Sequence, residues 1–139
     1  MKIKIHPSAW TKIDRPEKKI SPPDLAYLVC PYRYHKAGEA FENMTKIRNM
    51  AVKFWTQGIA IISPQLNGFF MEGSVDPEML RIGHQQALRA CDMVIIADDW
   101  YTQRWCREDV SLAKKLQIPI LDTDMCSLSD ADLERSIRE

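Results

Sequence analysis

The chain is predicted to be an α/β protein, an open three-layer α/β/α domain around a mostly parallel sheet of four to five strands. Three observations predict this. Four short apolar runs, residues 26–30, 59–62, 93–97 and 118–121, suit strands buried on both faces. Amphipathic helical patterns separate them, and a strand, a helix and a second buried strand imply a right-handed parallel crossover. The order β-α-β-α-β-α-β-α fits into 139 residues, about one domain with a substantial core.

Residues 1–24 form a separate stretch. Lys2, Ile3, Lys4 and Ile5 alternate and suit an edge strand, which would be the fifth. Pro7, Pro16, Pro22 and Pro23, with Lys12, Arg15, Lys18 and Lys19, then read as an irregular arm ahead of a single domain over 25–139. The first strand ends at Pro31, which cannot donate a ladder hydrogen bond. Residues 39–57 carry Phe41, Met44, Ile47, Met50, Ala51, Phe54 and Trp55 as one helical stripe, and Gly58 suits the cap after it. A loop with Phe69 and Phe70 is expected over 65–75, long enough for a lid. Asp76 and Pro77 then suit the cap and first turn of a helix carrying Met79, Leu80, Ile82, Gly83, Ala87, Leu88 and Cys91. The helix from about Gln103 to Leu116 repeats apolar residues at Cys106, Val110 and Ala113. Pro119 marks the fourth strand as an edge or a strand start. A short, exposed C-terminal helix follows, capped by Ser127 or Ser129.

Composition narrows the function classes. The formal net charge is zero, so charge gives no argument for nucleic acid or an anionic membrane. No apolar run approaches the roughly 20 residues that span a bilayer, and the N-terminus lacks the apolar core of a signal peptide. Cys30, Cys91, Cys106 and Cys126 are scattered. Without paired ligand spacing, no metal and no cofactor is expected, and three of the four read as buried free thiols in a reduced cytoplasm.

Function is expected where strands end, because ligands of open α/β sheets sit outside the carboxyl ends of the strands. After the third strand come Asp98, Asp99, Trp100 and Tyr101, then a helix. After the first come Tyr32, Arg33, Tyr34 and His35. Aromatic faces there suit a base or sugar, and a guanidinium suits an anion.

Four segments in this order resemble the nucleoside 2-deoxyribosyltransferase-like superfamily, in particular its small bacterial and phage members. They are YLVCPYR at 27–33, GIAIISP at 58–64, ALRACDMVIIADDW at 87–100, and an acid-x-x-x-Ala helix leading into IPIL at 118–121. The resemblance covers about residues 25–122 and implies a flavodoxin- or Rossmann-like fold. It implies cleavage or exchange of the N-glycosidic bond of nucleosides or nucleotides, and a homo-oligomer in which subunits share residues. Such chemistry needs an anion beside an oxocarbenium-like centre and a proton for the departing base.

Carried over residue by residue, the resemblance places Asp109, ahead of Ala113, where the family has its nucleophilic glutamate. Gln103 stands where Ser or Asp binds phosphate or sugar, Trp105 where a small Gly is usual, and His84 where another acid is usual. Asp109 is the expected nucleophile or electrostatic partner, and His84 the expected proton donor. Tyr32, Tyr101 and Gln103 are expected to hold hydroxyls or a base edge, and Arg33 or Arg104 a phosphate. Asp99, Trp100 and Asn67 complete the substrate-binding candidates. YTQRWCRED is also similar to the Trp-Cys-x-x-acid segment of TIR domains, some of which cleave NAD, and Asp109 again takes the acid's place. The departures at 84, 103 and 105 motivate an alternative, a module that senses or sequesters a nucleotide without turnover. A second alternative is an interaction scaffold using Phe69, Phe70, Trp100 and Tyr101.

Overall fold

The computed structural model describes residues 22–32, 37–68, 71 and 73–138. Arg33, Tyr34, His35, Phe69 and Phe70 lie outside these, as do residues 1–21 with the expected edge strand.

Among the described residues four strands, β1 (Asp24–Val29), β2 (Ile59–Ile62), β3 (Met93–Ile96) and β4 (Ile120–Leu121), form one sheet in the order β2-β1-β3-β4, and each pairing between these strands is parallel. Five α-helices among the described residues connect and flank them: α1 (Ala37–Thr56), α2 (Pro64–Gly68), α3 (Pro77–Arg89), α4 (Arg104–Lys115) and α5 (Asp130–Arg138). From β1 the chain steps to β2 on one side, then returns past β1 to β3. Right-handed crossovers that run in opposite directions lay their helices on opposite faces. Accordingly α1 packs Ile47, Ala51 and Phe54 on Ala26, Leu28 and Ile95. On the other face α3, α4 and α5 pack Leu88, Val110, Ala113 and Leu133 on Tyr27, Val29, Val94 and Ile96. Strand alternation divides β1 between the two cores.

Local signals account for most boundaries. Gly58, at φ +84, takes the left-handed position after α1. The Asp76 carboxylate accepts from Glu78 N at 2.9 Å and caps α3, with Pro77 in its first turn. Ser129 and Asp132 cap α5 reciprocally: Asp132 N donates to Ser129 Oγ at 3.2 Å, and Ser129 N donates to Asp132 Oδ2 at 2.8 Å. The Asp92 carboxylate accepts from Leu25 N at 2.8 Å and ties the entry of β3 to that of β1.

Several expectations are corrected. The α1 stripe is narrower than its sequence suggests: Phe41 is 71% exposed and Trp55 53%, while Met44, Ile47, Ala51 and Phe54 are buried. On α3, Met79 and Ile82 face outward and Arg81 turns inward, because the partners of the guanidinium are inside. The segment expected as a loop from residue 65 opens as the short helix α2. The C-terminal helix is not wholly exposed: Leu133 is buried, and Ser136 Oγ accepts from the Trp100 indole at 3.2 Å. Cys30, Cys91 and Cys106 are buried free thiols, and Cys126 is exposed.

Candidate active site

The strand order reverses between β1 and β3, and the connections after β1, β2 and β3 diverge there. Between them lies a cavity of about 360 Å³, within the range typical of small-molecule pockets. Tyr27 and Tyr32 line it from the first strand and its exit. Gln65 and Gly68 line it from α2, Leu80, Arg81 and His84 from α3, and Trp105, Cys106 and Asp109 from α4.

The position of Asp109 follows from helical spacing. Cys106, Asp109, Val110 and Ala113 fall on one arc of α4, the arc that meets the sheet. Glu108 is turned about 100° away and remains half-exposed. Asp109 is 6% exposed. The Tyr27 hydroxyl donates to its Oδ2 at 3.5 Å, and the Arg81 guanidinium stands 3.4 Å from its Oδ1. The latter contact is not aligned as a hydrogen bond, so Oδ1 is buried with no hydrogen-bond partner among the described residues. Burial pushes the carboxyl up to about 6, against the opposing pull of Arg81. Burial, reinforced by Asp109, also pushes the Tyr27 phenol upward, so it remains a protonated donor.

Arg81 was not among the residues singled out by sequence reasoning. Its side chain is 12% exposed. It donates to Glu108 Oε2 through Nε at 2.9 Å and through a terminal nitrogen at 2.6 Å, and its guanidinium lies 5.7 Å from the centre of the Trp105 ring. Arg104 holds the other Glu108 oxygen at 2.8 Å. Tyr27 was also missed. A hydroxyl-bearing residue at the second position of the otherwise apolar run 26–30 was the available signal for it. For Arg81 the signal was a cation seven residues before Leu88, on the same helical arc.

The remaining candidates divide. His84 lines the cavity; burial and then Arg81 lower its affinity for a proton, so the ring is neutral near pH 7. Its Nε2 lies 3.5 Å from the Asn67 amide, which is exposed and borders a neighbouring concavity rather than the main cavity. Gln103 lines the cavity, but its amide is engaged by protein: Oε1 accepts from Tyr32 N at 3.0 Å and Nε2 donates to Tyr32 O. It fixes the first-strand exit, which places the Tyr32 ring at the cavity. Trp100 is 4% exposed, packed under α5 and away from the cavity. Tyr101 stands edge-on to Trp100 with ring centres 6.2 Å apart, and its carbonyl accepts from Arg107 at 2.8 Å. Asp99 is exposed, and its carbonyl accepts from Thr102 Oγ1 at 2.7 Å. These three stabilise the turn after β3 and do not line the cavity, because the turn folds back onto the sheet before α4 begins. Arg33 lies outside the described residues. No cluster of three metal-ligating side chains exists among the described residues, and no helix among them is long and apolar enough to cross a membrane.

No protein-family model matches this chain, and no curated protein matches it. Among solved structures, a 2-deoxyribosyltransferase from the psychrotolerant bacterium Bacillus psychrosaccharolyticus is similar, with a TM-score of 0.52 and 15% sequence identity. The match covers 70% of this chain and 70% of that one. The likeness is one of fold alone, an α/β arrangement around a parallel sheet.

Proposed function

We propose that this chain cleaves or exchanges the N-glycosidic bond of a nucleoside or nucleotide, with Asp109 as the reactive carboxylate. The observation that carries the reading is the Asp109 side chain. It is a buried acid on a cavity wall, with one oxygen lacking a hydrogen bond and with its pKa raised to about 6. A buried polar atom without a hydrogen bond is rare in a folded protein, even beside an ion-pair partner such as Arg81, and perturbed acids gather at reactive sites. The fold likeness adds a weaker, analogical support.

In this reading the sugar lies against Asp109 and the base occupies the apolar part of the cavity, beside Leu80 and Tyr32. As the C1′–N bond lengthens, its electron pair leaves with the base and positive charge grows at C1′. The ionised carboxylate either bonds to C1′, giving a glycosyl ester, or stabilises that charge until water arrives. Water or a second base then completes hydrolysis or exchange. The Tyr27 hydroxyl steadies the carboxylate oxygen that does not react. His84 is neutral near pH 7. It therefore offers an N–H hydrogen bond to the base more readily than a full proton transfer.

A second reading, ligand binding without turnover, draws on the same neutral His84 and on Gln103, whose amide is spent on the Tyr32 backbone. The scaffold reading loses Trp100 as a contact, since that ring is buried. Exposed Phe41, Trp55, Met79 and Ile82 support the homo-oligomer that the resemblance implies. The deciding experiment incubates the protein with nucleosides, nucleotides and NAD and uses mass spectrometry to read both free base and retained ligand. Free base supports the enzyme. Retained ligand with no free base supports the binding module, and neither product defeats both.

A further inference from the structure

Two adjacent acids on α4 meet one cation on α3. Arg81 makes two close hydrogen bonds to Glu108, at 2.9 and 2.6 Å, and approaches Asp109 only to 3.4 Å. Glu108 is 38% exposed at its side chain and Asp109 8%, so the outer acid has the better geometry and the inner acid the greater need. Trp105 lies over the guanidinium and limits where it can swing. Arg104 tethers Glu108 from the solvent side.

We propose that Arg81 is a positioning residue held in common by the two carboxylates, and that Glu108 governs how much of the guanidinium Asp109 receives. The inference rests on Asp109 being the reactive group, and it adds the device that sets its charge. A buried carboxylate with no nearby cation takes up a proton and ceases to be an anion. With the whole cation it would be ionised but tied in a salt bridge, its free oxygen engaged. The arrangement here lies between these extremes: a nearby cation without a full hydrogen bond. The titratable groups facing Asp109 are the Tyr27 phenol from β1, Arg81 and His84 from α3, and Cys106 and Glu108 from α4 itself. Tyr27 and Cys106 have pKa values pushed well above neutrality, and His84 is neutral near pH 7. The Arg81–Glu108 pair is therefore the charged control on Asp109.

The test is a titration of the Asp109 carboxyl by carbon NMR in protein labelled at aspartate carboxyl carbons, with Asp109→Asn identifying the signal. Arg81→Gln should raise the midpoint by about one pH unit or more, and Arg81→Lys should raise it less. Glu108→Gln should lower it, because it removes a negative charge and releases the guanidinium inward. In an Arg81→Gln background, Glu108→Gln should move the midpoint less than it does alone, since only its direct charge effect remains once there is no guanidinium to release. Equal shifts from Glu108→Gln in both backgrounds, or a rise with Glu108→Gln, would overturn the proposal. Glu108→Gln and Arg81→Lys keep the test available should Arg81→Gln not fold. The titration needs no substrate, so its failure is distinct from a failure to release base.

Discussion

The two faces of the sheet are built from the same strands and serve different ends. Toward α1, β1 presents Ala26 and Leu28, which meet Ile47, Ala51 and Phe54 in a wholly apolar core. Toward α3 and α4 it presents Tyr27 and Val29, and there the apolar packing gives way at one end to a phenol, a guanidinium and a carboxylate. One face gains stability by excluding water. The other leaves a cavity and forces a carboxyl to remain buried with an unsatisfied oxygen, which costs stability. The division of labour follows from strand alternation, since neighbouring residues of one strand never share a face.

Truncation on the apolar face should give the largest effect on stability. Phe54 is fully buried, so Phe54→Ala should cost about 3–5 kcal/mol in denaturant unfolding. The Asp109 titration midpoint should remain in place in the folded fraction. A shifted midpoint would show that the two faces are coupled.

Removing the charge on the other face should act in the opposite direction. A carboxyl raised from 3.8 to about 6 stabilises the native state less when ionised than when protonated. Asp109→Asn is therefore expected to gain on the order of 2–3 kcal/mol at pH 7, seen as a higher midpoint of unfolding. A loss of stability would mean that the contact with Arg81 outweighs desolvation.

The same shift gives a pH dependence. Between about pH 4 and 6 the folded chain holds a proton on Asp109 that the unfolded chain has released. This contribution to stability is therefore fully present below about pH 4 and is lost as pH rises to about 6. His84 works the other way. Its folded-state pKa is lowered from 6.5, so the unfolded chain binds the proton first and stability falls as pH drops below 6.5. Subtracting the Asp109→Asn profile from that of the wild type removes His84 and isolates Asp109. A flat difference between pH 4 and 6 would contradict the raised carboxyl.

The smallest effect sharpens the border of the site. Trp100→Phe loses the indole bond to Ser136 and should cost about 1 kcal/mol. Retention of any ligand found by mass spectrometry should be unchanged. Weakened retention would return Trp100 to the binding surface.

Much of the fold was legible because apolar runs and helical periods report burial directly. Met93 to Ile96 and the arc of Cys106, Val110 and Ala113 are examples; Asp109 is marked in the sequence only by the family resemblance, which sets it ahead of Ala113, and the structure buries it on that same arc. The width of the α1 stripe was not. Phe41 and Trp55 extend the helical pattern, yet their exposure depends on where the sheet ends, and a periodicity carries no such information. Trp100 was misplaced because an aromatic at a strand's carboxyl end suits both a ligand and a core, and only α5, distant in sequence, decides between them. Gln103 was assigned to substrate, whereas its amide closes on the Tyr32 backbone across 71 positions of sequence. Arg81 was overlooked because a cation in a helix is ordinarily solvated. Its burial depends on the pairing of α3 with α4.

The most direct measurement compares wild type with Asp109→Asn for release of free base across the nucleoside and nucleotide panel, at pH 7 and with folding verified for both. The expected result is base release by the wild type from at least one compound and a fall on the order of a thousandfold in the variant, which stays folded. Equal release by the two proteins would contradict the assignment of Asp109 as the reactive group.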